Sequence, residues 1–385
     1  MNSLLGRLLP ALTQPRFQLA RLLERDANNL DLVRLLCACA VIFGHAFVVA
    51  PDPVWNADAL DPTVHLGYPG VYSGSIAVKI FFLISGLLVT NSLLVWKSVS
   101  HFVLGRVFRI WPALTVVLIC CAALIGPWLT VLDVRAYFSR YAVYRYVVGN
   151  FLMAMPADLP GMFVENNLAG AVNAVLWTLP IEVAAYFALL LTTVLGLFRH
   201  RLLAAVVLLF IIVDPLLPRP ILTSWMDPNP QLIFLPSCFA FGACLALFKH
   251  RVLLSPGLVL AGAAAACALH QTRFGPLSFF FSLFYALLYV SGLPLLRRIK
   301  LKSDYSYGTF LWGFVVQLIV AERYGDLGFL FNFGVSLAIT LGLGILSWHW
   351  VERPAMRLGR RLAERWTGKE AVQALENATP SHLFP

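Results

Sequence analysis

The sequence predicts an all-α polytopic membrane protein of about ten transmembrane helices, with both termini cytoplasmic. The chain is 59% hydrophobic and only 12% charged, and its mean hydropathy is +0.78. Apolar runs of roughly 17–22 residues, the length that crosses a ~30 Å hydrocarbon core, recur from end to end. One globular core of 385 residues cannot hide that much apolar surface, so lipid is the main solvent.

Residues 1–29 read as a cytoplasmic N-terminal segment. They hold neither a long apolar stretch nor a small-residue cleavage site, which argues against a cleavable signal. Between Arg16 and Arg25, the residues Phe17, Leu19, Leu22 and Leu23 suit an amphipathic helix lying on the membrane surface. Apolar windows bounded by charges, Pro and Gly then predict helices at 30–50, 75–96, 112–131, 177–198, 202–217, 231–248, 252–269, 277–296, 305–321 and 327–350. They make one membrane domain, 30–352, followed by a cytoplasmic tail, 353–385. No internal repeat of the transporter kind is visible.

With the N-terminus inside, 22 of the 29 Lys and Arg residues lie on the cytoplasmic side, 6 lie outside, and Lys79 falls within a helix. The positive-inside bias favours that orientation and an even number of crossings. The net charge of +10 is therefore a topology signal, placing basic residues beside anionic lipid, and nothing points to nucleic acid.

One connection, 132–176, is long. It carries Tyr137, Tyr141, Tyr144, Tyr146, a Pro156 to Gly161 turn and Asn166-Asn167, and reads as a partly structured lid or acceptor-binding segment. The seven cysteines lie in apolar segments without CxxC or Cys/His spacing, so they are expected to be small buried hydrophobes, with no metal. Small residues at 262–266 permit close helix contact, within the chain or between chains. The oligomeric state is not encoded in any pattern here.

The most informative polar residues are Asp31, Arg34 and His45, because each is costly at membrane depth. Arg34 and His45 are 11 positions apart, within about 20° of one helical face and about 16 Å along the axis. Asp31 falls near the same face. A cation at the cytoplasmic mouth and a distant imidazole suit a substrate with an anionic head and a remote reactive end, which is the shape of an acyl-CoA. Taken singly, Arg34 could snorkel and His45 could bind a neighbouring helix.

Trp177-Thr178-Leu179-Pro180-Ile181-Glu182 opens a helix from the outer side, with Pro180 tolerated in the first turn. That puts Glu182 about 8 Å below the surface, at the depth of His45. Glu182 could orient His45 or stabilise its protonated form, or simply cap its helix and pair with an interface Arg. Arg106 and Arg109, at i, i+3 with adjacent aromatics, suit phosphate and adenine recognition, and would equally suit solvated positive-inside charge. No HxxxxD box, GxSxG elbow, HExxH or P-loop is present. Gly342 and Gly344 read as close helix packing.

Six pieces stand together in order: Leu30-Asp31…Arg34…His45; Phe81-Phe82-Leu83-Ile84-Ser85-Gly86; Arg106-Val107-Phe108-Arg109-Ile110-Trp111-Pro112; Leu176 to Glu182; Asp304-Tyr305-Ser306-Tyr307-Gly308; and Trp350-Val351-Glu352-Arg353-Pro354. In these pieces the chain resembles the acyltransferase 3 family of integral membrane O-acyltransferases, over nearly all of 28–361. The resemblance implies a multi-pass bacterial inner-membrane enzyme. Its donor would be an acyl-CoA, usually acetyl-CoA, reaching it from the cytoplasm. Its acceptor would be a carbohydrate hydroxyl of lipopolysaccharide or exopolysaccharide, modified at the outer side.

His45 would be the catalytic base, with Glu182 beside it. Arg34, Arg106 and Arg109 would hold the CoA phosphates, and Asp31, Ser85, Trp177 and Tyr307 would contact substrate. His45 could deprotonate the acceptor or first take the acyl group itself. Gly105, Gly313 and Lys79 depart from the residues common in the family at those positions. The main rival is a transporter or flippase of a lipid-linked saccharide, since buried Arg, His and Glu also mark transport paths.

Overall fold

The computed structural model describes residues 17–24, 27–52, 54, 56–96, 98–155, 158–164, 171–222 and 231–367. Each of the ten apolar windows holds a helix: α1 (Leu30–Val49), α2 (Ser73–Trp96), α3 (Val99–Cys120), α5 (Thr178–Val194), α6 (Arg201–Val213), α7 (Leu235–Leu247), α8 (Pro256–Leu269), α9 (Gly275–Ser291), α10 (Ser306–Tyr324) and α11 (Gly328–Ser347). Two more helices are α4 (Tyr141–Phe151), in the long connection, and α12 (Arg353–Thr367). Five helical runs are long and apolar enough to cross a membrane: 30–49, 73–96, 99–129, 174–194 and the composite run 306–366. Helices α7, α8 and α9 are apolar but shorter.

Among the described residues the sheet is one two-residue pair, Phe17–Gln18 antiparallel to Leu253–Leu254. This corrects the expected surface helix at Arg16 to Arg25. The chain there pairs as a strand and then forms one short helix whose Leu19 and Leu22 are fully buried. Apolar side chains that close packing can cover are not left to the lipid surface. Arg16 and Arg25 lie outside the described residues.

The helix expected at 112–131 starts earlier, at Val99, where Ser98 caps it by accepting from the His101 N–H at 3.3 Å. Arg106 and Arg109 therefore sit inside a helix. A wide π turn at Cys121–Ile125 carries the run on to Leu129.

The connection after it is helical rather than an open lid. Tyr137 and Tyr146 are completely buried, and the Tyr137 hydroxyl donates to the Ala122 carbonyl at 3.0 Å beside Gly126, where a methyl group would collide with it. Tyr141 and Tyr144 stay exposed. Pro156 and Asn166-Asn167 lie outside the described residues.

Contacts between connections fall into two sets. At one end, Asn29 donates to the Leu296 and Ile299 carbonyls, Lys249 donates to Asn91, and Asp304 meets Arg34 and Arg109. At the other, His270 bonds the Leu66 carbonyl and Arg323 lies over Trp128. The contacts place the start of α1, the ends of α2, α7 and α9 and the start of α10 at one end, and the start of α2 and the ends of α8 and α10 at the other.

Of the cysteines, Cys37, Cys121 and Cys238 are buried, three are intermediate, and Cys267 is exposed on α8, against expectation. Gly262 packs on Ser282 of α9, so the small-residue stretch is used within the chain at that point. Gly344 packs tightly on Thr309, while Gly342 has open space around it.

Candidate active site

At one end of the bundle a charged network joins four segments. Arg34 of α1 pairs with Asp304, and Arg109 of α3 reaches both Asp304 at 2.5 Å and Glu352 at 3.1 Å. Asp304 closes off the start of α10 by accepting the Ser306 N–H and hydroxyl at 3.1 and 2.5 Å. Ser347 donates to Glu352 at 2.9 Å. Burial alone would raise the Asp304 carboxyl, but Arg34 and Arg109 outweigh it and, with the Ser306 bonds, hold it well below the usual carboxylate range.

The π turn at Trp348–Glu352 turns Glu352 inward, 1% exposed, while Trp350 two residues earlier is 75% exposed. Tyr307 and Trp348 lie under the Arg109 guanidinium at 5.5 and 5.8 Å. The Tyr307 hydroxyl is spent on the Ile110 carbonyl at 3.0 Å. Asp31 lies within reach of Asp304, Arg34 and Arg109, and one of its oxygens is buried without a hydrogen-bond partner among the described residues.

Deeper in the bundle, Glu182 of α5 accepts from Ser85 of α2 at 2.9 Å and from Tyr186, one turn further along α5. Ser85 and Tyr186 also bond one another at 2.6 Å, and Arg106 of α3 sits over the Tyr186 ring at 5.8 Å. With α3 joined through the Tyr186 ring, helices α2 and α5 are thereby tied at one carboxylate. Its partners are a serine and a tyrosine, and the pairing of Glu182 with His45 weighed from the sequence is not made.

His45 lies toward the other end of α1. Its ring meets Phe314 edge-on at 5.3 Å, and its Nδ1 is buried without a hydrogen-bond partner among the described residues. It opens on a small cavity shared with Trp177 and Thr178, one turn before Glu182, and with Tyr72 and Phe310. Asn173 fixes the turn that carries Trp177 by donating to the Leu311 carbonyl at 2.9 Å. Gly313 lets α10 come close at this level: a methyl there would fall 2.9 Å from Ile42. Gln317 then donates to the Ile42 carbonyl at 2.8 Å.

The site residues therefore form three groups along α1 and its neighbours. Asp31, Arg34, Arg109 and Tyr307 gather at the mouth. Ser85, Arg106 and Glu182 meet in the middle, and His45 joins Trp177 at the far cavity. Arg34 and His45 both face α10, through Asp304 just before it and Phe314 within it. Tyr186 was missed from the sequence, although its i+4 spacing from Glu182 puts the two on one face. Asp304 and Glu352 stand in motifs already noted, as the acidic counterparts that buried arginines require. Lys79 is 1% exposed, over the Phe280 ring at 5.2 Å.

A family profile described as an acyltransferase domain, acyltransferase 3, matches residues 27–349. The chain belongs to the acyltransferase 3 family. Its chemistry is accordingly acyl transfer, on a multi-pass membrane scaffold. The chain is 29% identical over 379 residues to nodulation protein 10 of Rhizobium leguminosarum bv. viciae, covering 88% of this chain and 95% of that protein. It is 27% identical over 342 residues to an O-acetyl transferase of Shigella phage Sf6, covering 85% and 95%. No solved structure matches it. Within this acyltransferase 3 chain, all three polar groups fall inside the matched residues except Glu352, which lies three residues beyond them.

Proposed function

We propose that this acyltransferase 3 chain is an inner-membrane O-acetyltransferase of ten crossings with both termini cytoplasmic. It moves an acetyl group from acetyl-CoA to a hydroxyl of an envelope carbohydrate such as lipopolysaccharide or exopolysaccharide. The observation that carries the reading is the His45 imidazole, with an unused ring nitrogen, opening on a cavity about 16 Å along α1 from a cluster of arginines. The name of the phage relative supports an O-acetyl product.

In this reading Arg34, Arg106 and Arg109 receive the phosphates of the donor, which compete with Asp304 for Arg34 and Arg109, while Asp31, Ser85 and Tyr307 line its path. Trp177 meets the acceptor where its hydroxyl approaches the small His45 cavity. The imidazole takes the proton of the acceptor hydroxyl. The oxygen then attacks the thioester carbonyl carbon, the C–S bond breaks, and the CoA thiolate leaves to be protonated. Alternatively the imidazole attacks first and passes the acetyl group on. Glu182, held by Ser85 and Tyr186, fixes α5 and therefore the position of Trp177.

The test is transfer from radiolabelled acetyl-CoA to an envelope polysaccharide extract by membranes carrying the wild type or His45→Ala at matched expression. Transfer by the wild type that vanishes in the variant supports the reading. Transfer surviving at full rate removes His45 from catalysis, and none from the wild type favours transport of a lipid-linked saccharide instead.

A further inference from the structure

The cavity at His45 has room for about one water-sized group. Beside His45, Thr178 and Gln231, its wall is apolar, formed in part by Val41, Val78 and Phe310. One side is closed by the Tyr72 ring, which is seated on two glycines. A methyl at Gly44 would fall 2.7 Å from the ring, and one at Gly74 would fall 2.6 Å from it. Any larger residue at either position would push the ring away, so the sequence reserves this place for the tyrosine.

The backbone that carries the ring is also held. The Tyr72 N–H donates to the Ser75 hydroxyl at 3.0 Å, which donates back to the Tyr72 carbonyl at 3.0 Å. The next residue, Ser73, donates its N–H to Asp61 at 2.8 Å, and Asp61 is also bound by the Thr63 N–H at 3.0 Å and its hydroxyl at 2.6 Å. Asp61 is 1% exposed, which ties the loop before α2 to the helix start. Tyr72 is thus a braced wall and cannot swing aside on a loose loop.

We propose that Tyr72 sets the acyl chain length of the reaction. The space beside the imidazole takes a methyl group, and the tyrosine ring fills the volume that a longer acyl tail would need. This rests on the acyl-CoA reading above and adds to it the residue that makes the donor an acetyl donor. Rejection of a longer chain by a closed apolar wall is worth about 10–200-fold per methylene.

The experiment compares transfer from labelled acetyl-, propionyl- and butyryl-CoA by membranes carrying wild type, Tyr72→Ala, Tyr72→Leu or Val78→Ala. The wild type should prefer acetyl, and Tyr72→Ala should raise the butyryl-to-acetyl ratio by about tenfold or more, with Tyr72→Leu and Val78→Ala shifting it in the same direction by less. A wild type that uses butyryl as readily as acetyl overturns the proposal. So does an unchanged ratio in Tyr72→Ala or, where that protein fails to accumulate, in both Tyr72→Leu and Val78→Ala. Absence of transfer from all three donors by folded wild type removes the acyl-CoA reading itself, and the Tyr72 assignment with it.

Discussion

Gly86 and Gly242 face one another where α2 crosses α7. A methyl at Gly86 would lie 2.1 Å from the Phe239 carbonyl oxygen, and one at Gly242 would lie 2.2 Å from that of Leu83. The two backbones touch, and Ser85, next to Gly86, is thereby set against Glu182. Gly86→Ala must force the helices apart, at about 1–3 kcal/mol or more. Folded yield and melting temperature in detergent should fall, whereas Gly342→Ala, with nothing within 4 Å, should leave both unchanged or slightly raised.

Arg109 serves two carboxylates and Arg34 one. Removing the shared cation leaves Glu352 without its arginine and Asp304 with Arg34 alone, so Arg109→Ala should cost about 3–5 kcal/mol, and Arg34→Ala clearly less. Thermal unfolding of the purified variants checks the order, and equal losses would contradict it.

The depressed carboxyl of Asp304 has a pH signature. Its folded value lies below its unfolded value near ~4. The stabilisation is therefore fully present above that pH and is lost as pH falls below it and through the folded value. Stability of the wild type should drop more steeply than that of Asp304→Asn between about pH 4 and pH 2.

Tyr186→Phe deletes one donor to Glu182 and the bond to Ser85 while keeping the ring under Arg106. A loss of about 1–3 kcal/mol is expected. Adding Ser85→Ala should cost less in this background than in the wild type, because all three groups share one network. A double-mutant cycle on melting temperature measures the coupling.

The face shared by Arg34 and His45 is legible in the sequence because helical geometry alone fixes the angle between positions 34 and 45. What each meets is not, since the lateral neighbours of a helix follow from packing. Asp304 and Phe314 stand about 270 residues further along the chain from Arg34 and His45. The same limit explains Glu182. The sequence places it at the depth of His45, but it lies one turn past the Thr178 that lines the His45 cavity, and its partner Ser85 is 97 residues away. The early start of α3 was hidden because Arg106 and Arg109 look like loop charges until Asp304 and Glu352 pair with Arg109 and the Tyr186 ring meets Arg106. Buried Tyr137 and exposed Tyr141 are indistinguishable by residue type, and only the fit beside Gly126 separates them.

The Arg34–Asp304–Arg109 network also sets an order of events at birth. Asp304 is synthesised 270 residues after Arg34 and 195 after Arg109. At ~5–20 residues per second, both arginines wait roughly 10–50 s before their common carboxylate leaves the ribosome. For that interval the first helices are inserted without it, and the mouth of the enzyme cannot close until the last pair of helices arrives. The nascent chain therefore depends on the insertion machinery, or on anionic lipid headgroups, to shelter those cations, and truncation before residue 304 should yield a protein that is cleared rather than stored.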